Sequence, residues 1–370
     1  MNIVKTSNPV RLIAFFLTAA ILTLTFGFTV DGWGINVDQK GTHENVEVAK
    51  KDDVIFEPPQ DDSTEITPEI IIPEFINRLT GLETTKEISG NTPLAFIMDG
   101  VNNVYGISRS DLLVEIPIEN EETRLISFIS ETNDLWKIGS IASGRGYINN
   151  ITKYFGAITV FNGCDDSIRY DYCNIGKSDI DLSLKEGFSY TEFSSKMYTN
   201  CQLIDAGKTS YGTVEISADE NALPFAFNSF GNKQIKFDNV SIRIEAVLNK
   251  DCILKLLYDN QSQRYSYTRN GKPINDLLNG NTLDFTNCFI LFCDSVTYDN
   301  YDGCQLVMNT VGNGVGYYIT EGSYTEIKWN ASISGSLNFY LPTGEKLTIN
   351  RGNSYICYLK SSKINNISFS

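Results

Sequence analysis

Residues 12–30 read LIAFFLTAAILTLTFGFTV, nineteen consecutive positions without a charge. A helix there, rising about 1.5 Å per residue, would reach roughly 28 Å, close to the hydrocarbon thickness of a bilayer. Lys5 and Arg11 precede the run, and Asp31 and Asp38 follow it. The basic flank stays in the cytoplasm, which places the remainder of the chain outside it. Cleavage by a signal peptidase needs small residues just beyond the apolar run, and TVDGWG is a poor site. Lipid attachment needs a cysteine there, and the first cysteine is Cys164. The segment reads as an uncleaved transmembrane anchor behind a cytoplasmic tip, residues 1–11, with a cleaved signal as the alternative.

The next stretch has a different composition. Residues 31–80 hold twelve acidic residues against four basic ones, and no basic residue lies between Lys51 and Arg78. Pro58, Pro59, Pro68 and Pro73 cannot sit inside a helix or donate to a β-ladder. Residues 31–76 are therefore expected to be an acidic disordered linker, with the apolar EIIIPEFI at 69–76 docking on the body.

From residue 77 the chain changes again. PLAFIMD at 93–99, LLVEIPI at 112–118, TRLISFI at 123–129 and AITVFN at 157–162 are short apolar strands. A helix is expected before residue 155, and residues 163–200 read as loops with short helices. Beyond residue 235 strands recur at 240–247, 252–258, 263–268, 287–295, 304–310, 315–320, 324–329, 336–341 and 353–359, punctuated by NG, EG and TG turns. IEAVLNKDCILKLLYD could instead conceal a helix, and LTINRGNSYICYL reads as a closing hairpin. The expected fold is α+β: a mixed α/β domain over 77–234, then a β-rich domain over 235–370.

Composition narrows the chemistry. A formal net charge of −15 argues against nucleic acid as a partner. The single histidine, His43, lies in the linker, which removes multi-histidine metal sites and most histidine-based acyl transfer. The GSIASGRGY turn lacks both the G-x-S-x-G elbow and the lysine of a phosphate loop. Eight cysteines form no C-x-x-C pair, so mostly free buried thiols are expected, with a Cys164–Cys173 disulfide as the alternative. DDSIRYDYC and SVTYDNYDGC are acidic enough for calcium but match no calcium loop, so they read as solvated. No metal or cofactor is expected.

Several segments resemble, in order, the YerB-like lipoproteins, a bacterial family of unknown function numbered 3048. They are NRLTG at 77–81, PLAFIMDG at 93–100, GISRSDLLVEIPIENEETRLISFI at 106–129 and KIGSIASGRGY at 137–147. In the second half they are YSYTRNGKPIND at 265–276, VGNGVGYYITEGSYTEIKW at 311–329 and FYLPTGEKLTINRGNSYI at 339–356. The resemblance spans about residues 77–360 and implies no named activity. Where the family has an anchoring cysteine, this chain has none. Where the family has two arginines, this chain has Ala142 and then Arg145. The histidines the family tends to carry are absent.

Five residues are candidates for a ligand site. Asp99 ends an apolar strand, a frequent ligand position in α/β sheets. Glu115 shares a strand face with Leu113 and Pro117, opposite Leu112, Val114 and Ile116, so it is either solvent-facing or paired. Asp111 starts that strand, and Arg124 and Arg145 could each offer a bidentate fork. Clustered Tyr, Asp and Asn at 298–301, 317–318 and 324–329 suit sugars or peptides, or else cross-strand packing. The expected function is a membrane-anchored extracytoplasmic module that binds an envelope peptide, glycan or protein without catalysis. The alternative is a hydrolase of envelope material working through Asp99 and Glu115.

Overall fold

A strand covered on both faces is apolar along its whole length, whereas one with a wet face alternates. The sequence contains both kinds, and the computed structural model sorts them into two sheets. It describes residues 70–164, 179–184, 187–192, 196–211, 225–300 and 303–370. The expected anchor at 12–30 and the linker as far as residue 69 lie outside these. Among the described residues no helix is long and apolar enough to cross a membrane. Thr67–Ser370 forms one compact unit.

The strands used below are β1 (Leu94–Met98), β2 (Leu112–Pro117), β3 (Thr123–Ile129), β4 (Ile138–Ile141), β5 (Ile158–Phe161), β6 (Lys196–Thr199), β7 (Arg243–Asn249) and β8 (Cys252–Asp259). They continue with β9 (Arg264–Arg269), β10 (Asn287–Cys293), β11 (Ser295–Asn300), β12 (Gly303–Met308), β13 (Gly312–Thr320), β14 (Ser323–Ala331), β15 (Ser354–Lys360) and β16 (Ile367–Phe369).

One large sheet runs in the order β14-β13-β10-β15-β2-β3-β1-β4-β6, with short strands at its edges. Its centre is drawn from both ends of the chain. β15 lies parallel to β10 on one side and to β2 on the other, pairing Leu112 with Ser354 and Glu115 with Cys357. The apolar runs LLVEIP, NCFILFC and SYICYL therefore meet in the middle, where both faces are covered. The expected closing hairpin is corrected here. Thr348–Ile349 pairs instead with Ala226–Phe227, and the strand after it inserts centrally.

One face carries Leu112, Val114, Ile116, Phe128, Phe289 and Ile356 and packs on the helix Gly146–Tyr154 through Ile148, Ile151 and Tyr154. The other face, with Leu113, Ile290, Tyr355 and Cys357, meets the second sheet. That sheet runs β9-β8-β7-β16 and contributes Ile244, Ala246, Leu254, Leu256, Tyr265 and Tyr267. IEAVLNKDCILKLLYD is accordingly the β7–β8 hairpin, with no helix inside it. Its side chains alternate between buried and wet, the period of a sheet with one face covered.

Helix is scarcer than a mixed α/β reading implies. Within 77–234 the described α-helices are Lys86–Gly90, Gly146–Tyr154 and Cys201–Tyr211, set among strands. In the stretch expected to hold loops and short helices, the described residues include strands Ile180–Asp181, Tyr190–Glu192 and Lys196–Thr199. The apolar segment before the body does touch it: Ile70 packs on Gly231, and the amide of Thr84 donates to Phe75 O at 3.0 Å.

Candidate functional site

β1 and β3 are antiparallel with Met98 opposite Leu125, so Asp99, just past the end of β1, comes beside Arg124, the second residue of β3. Arg124 Nη1 donates to Asp99 Oδ1 at 2.7 Å, and Lys196 Nζ lies 3.7 Å from the other carboxylate oxygen. Asp99 is 42% exposed, while Arg124 is 13% exposed and rests against the sheet end. Across from them stand Asn249, Lys250 and Asp251 of the β7–β8 turn, held by Asn249 Nδ2 donating to Glu121 O at 2.5 Å. Between these walls is an open cleft of about 470 Å³ with Thr123, Cys252 and Arg269 also in its lining.

Glu115 lies behind that lining. It points to the face shared with Leu113, as the strand period requires, and is fully buried. Its Oε2 accepts from Tyr267 Oη at 2.9 Å and from Tyr355 Oη at 2.6 Å, and its Oε1 pairs with Arg269. The Arg269 guanidinium is used on every side. Nε donates to Tyr267 Oη at 2.8 Å, Nη1 to Cys252 Sγ at 2.8 Å and Nη2 to Thr123 Oγ1 at 3.2 Å. Burial pushes both tyrosine hydroxyls well above their ordinary range, so they remain proton donors to the carboxylate. Burial also lowers the Arg269 guanidinium from its usual value. Glu115 is thus the paired alternative of the sequence reading, and Arg269 stands between it and the cleft.

Arg145 and Asp111 lie elsewhere. Arg145 is the residue preceding the helix Gly146–Tyr154, and its fork grips Glu119, with Nε–Oε1 and Nη2–Oε2 both 3.1 Å. Nη1 donates to Ser143 Oγ at 2.9 Å and to Gly144 O at 3.0 Å. Burial would raise the Glu119 carboxyl, but the hydrogen bond from Arg145 and its charge outweigh this and hold it below the usual range. Asp111, at the opposite end of β2, accepts from the Ser130 amide at 2.8 Å. There burial wins and its carboxyl is raised, despite hydrogen bonds from Ser130 and Asn77.

Of the five candidates, two therefore share the cleft, one is sealed behind it, and two sit outside it. Arg269, Lys196 and Cys252 were not singled out from sequence. The signal for Arg269 was present: Tyr265, Tyr267 and Arg269 share one strand face, and both tyrosines are fully buried. An arginine continuing a buried face needs an acid.

Cys201, Cys252, Cys288, Cys293 and Cys357 are free thiols. Burial pushes the Cys293 and Cys357 thiols up to about 12 and leaves them inert at neutral pH. The Cys164–Cys173 pairing falls on Cys173, which lies outside the described residues, as does the acidic run 165–173. Among the described residues no group of three His, Cys, Asp or Glu side chains gathers as a metal site.

Comparison with known proteins agrees with this architecture. Residues 79–213 match the family described as "Protein of unknown function (DUF3048) N-terminal domain", and residues 240–356 match the corresponding C-terminal domain. The chain belongs to this family. Its fold is similar to the crystal structure of the YerB protein from Bacillus subtilis, with a TM-score of 0.69 at 17% identity. The match covers 80% of this chain and 100% of that one. No curated protein matches the sequence.

Proposed function

We propose that the chain is an extracytoplasmic binding protein whose cleft takes a short envelope peptide carrying both ammonium and carboxylate groups. The observation that carries this is the cleft's paired lining, in which Asp99, Glu121, Glu122 and Asp251 stand with Arg124, Lys196, Lys250 and Arg269 around an open volume of about 470 Å³. Such a surface offers a partner to either sign of charge and favours neither alone. Asp99 is the exposed member of its pair and can exchange a protein cation for a ligand ammonium.

The same arrangement weighs against hydrolysis. Two-carboxylate mechanisms need both acids to face the substrate, one of them with a raised pKa. Glu115 is enclosed by Tyr267, Tyr355 and Arg269, and Asp99 is held between two cations.

Calorimetric titration of the full chain with the tetrapeptide Ala–Glu–Lys–Ala, free at both ends, tests the reading. Saturable binding is expected with a Kd between about 10 µM and 1 mM. Arg124→Ala should weaken it about tenfold or more, roughly 1.4 kcal/mol. Equal affinity for a blocked tetra-alanine peptide would remove the charge-pairing argument. Turnover of the peptide with a bell-shaped pH profile would favour the hydrolase instead.

The location belongs to the same proposal: residues 12–30 anchor the chain with the body outside, supported by the uncharged run and the basic residues before it. Protease added to intact cells should cut the acidic linker and release a fragment beginning near residue 77. A body that resists until the membrane is opened contradicts the orientation.

A further inference from the structure

The hairpin β11–β12 stands off the large sheet as a two-stranded unit. Its register pairs Val296 with Val307 and Tyr298 with Gln305 on one face. The other face sends Leu306 and Met308 into the core. The hairpin is thus anchored mainly by one side, while its first strand presents Val296 and Tyr298 on the other. Val296 is 52% exposed and Tyr298 is 55% exposed, although both lie beside a well-packed body.

All four residues of that face line a groove of about 580 Å³, together with Asn150 of the helix Gly146–Tyr154 and Asp294. Small-molecule sites have volumes of roughly 300–1,000 Å³, so this one is large enough for a ligand. It does not overlap the charged cleft, since the two share no lining residue.

We propose that this groove binds an uncharged oligosaccharide. The lining combines the exposed Tyr298, three valines and planar amides. A pyranose needs that combination, having an apolar C–H face and a rim of hydroxyls. Neither lysine nor arginine occurs among the lining residues, and the one charge is Asp294, so acidic glycans are disfavoured. An extended peptide would be expected to add to a strand edge, whereas the groove offers the face of the hairpin. Tyr298 is the stacking platform, and Asn150 is the hydroxyl-binding amide. The inference does not rest on the peptide reading of the cleft.

The test uses the full chain in a detergent without a sugar headgroup, titrated with the β-1,4-linked N-acetylglucosamine tetramer and with maltotetraose. Saturation-transfer NMR and calorimetry report binding. At least one sugar should saturate with a Kd of about 0.1–5 mM. Tyr298→Ala should reduce that affinity about tenfold, consistent with loss of an aromatic contact. Tyr298→Phe should retain most of it. Asn150→Ala gives a second arm, because alanine is well tolerated at a partly exposed helix position. It should also weaken binding while leaving the melting temperature unchanged. Saturation by neither sugar up to about 20 mM, roughly fourfold above the upper bound, overturns the proposal. So does unchanged binding in both alanine variants, or tighter binding of a tetragalacturonate.

Discussion

Truncating Arg269 to alanine should destabilise the body by about 3–5 kcal/mol, the usual consequence of stranding one member of a buried ion pair. Glu115 is fully buried and would keep the hydroxyls of Tyr267 and Tyr355 but lose its only cation among the described residues. Thr123 Oγ1, Cys252 Sγ and Tyr267 Oη would lose a donor in the same step. Chemical denaturation of wild type against Arg269→Ala measures the loss. The paired replacement Glu115→Leu with Arg269→Met should recover most of it, since apolar isosteres of a buried pair are often as stable as the pair. Asp99→Ala serves as the contrast. Its pair with Arg124 is partly exposed, and its removal should change stability by about 1 kcal/mol or less. A loss below about 1 kcal/mol in Arg269→Ala would mean that the two tyrosine donors suffice for the buried Glu115 carboxylate, with the arginine serving the cleft alone.

That network also marks where sequence reading stops. The strands themselves were legible because burial writes its period into them: LAFIM, LLVEIP and TRLISFI were placed within a residue or two of their observed ends. So was the face of Glu115. Their order in the sheet was not legible. β15 enters between β2 and β10 because three both-face-apolar strands can bury one another there, and a list of apolar runs does not specify which run pairs with which. The candidate site divides along the same line. Asp99 and Arg124 sit at adjacent strand ends and were both flagged, since each breaks an apolar run. Arg269 comes from the other sheet, and its relation to Glu115 depends on the packing of two layers. Arg145 stands out through its place in the family pattern, but its partner Glu119 lies in the polar ENEE turn between β2 and β3, which nothing in the sequence ties to it. The exposed Tyr298 belonged to an aromatic cluster that alternation alone leaves open between packing and binding.

Asp276→Ala should be nearly as damaging as the loss of Arg269, for a different reason. Asp276 is fully buried, and its carboxylate accepts four hydrogen bonds. Oδ1 takes the amides of Gly106 and Leu278, each at 2.8 Å, and Oδ2 takes the amide of Ser108 at 2.9 Å and its hydroxyl at 2.7 Å. Leu277 reinforces the join by donating from its amide to Val104 O at 2.9 Å. One side chain from the second half of the chain therefore fixes the turn that leads into β2. Gly106 occupies that turn at φ 78°, a left-handed conformation that glycine adopts without strain, so its amide is aimed at the carboxylate at little cost. Alanine would leave three backbone donors without this acceptor and the Ser108 hydroxyl with only its longer bond to Asn279 Oδ1 at 3.4 Å. With about 1–3 kcal/mol for each buried unsatisfied group and some relief from entering water, a loss of about 3–4 kcal/mol is expected. Asparagine keeps one oxygen but turns an N–H toward a donor, and should lose about half as much. Ser108→Ala removes one bond and should lose about 1 kcal/mol. Hydrogen exchange separates this account from general unfolding. In Asp276→Asn the Gly106 and Ser108 amides should exchange faster, while those of β2 and β15 keep their protection. Uniform acceleration across both strands would show that Asp276 supports the whole sheet, and the local picture of a pinned turn would fall.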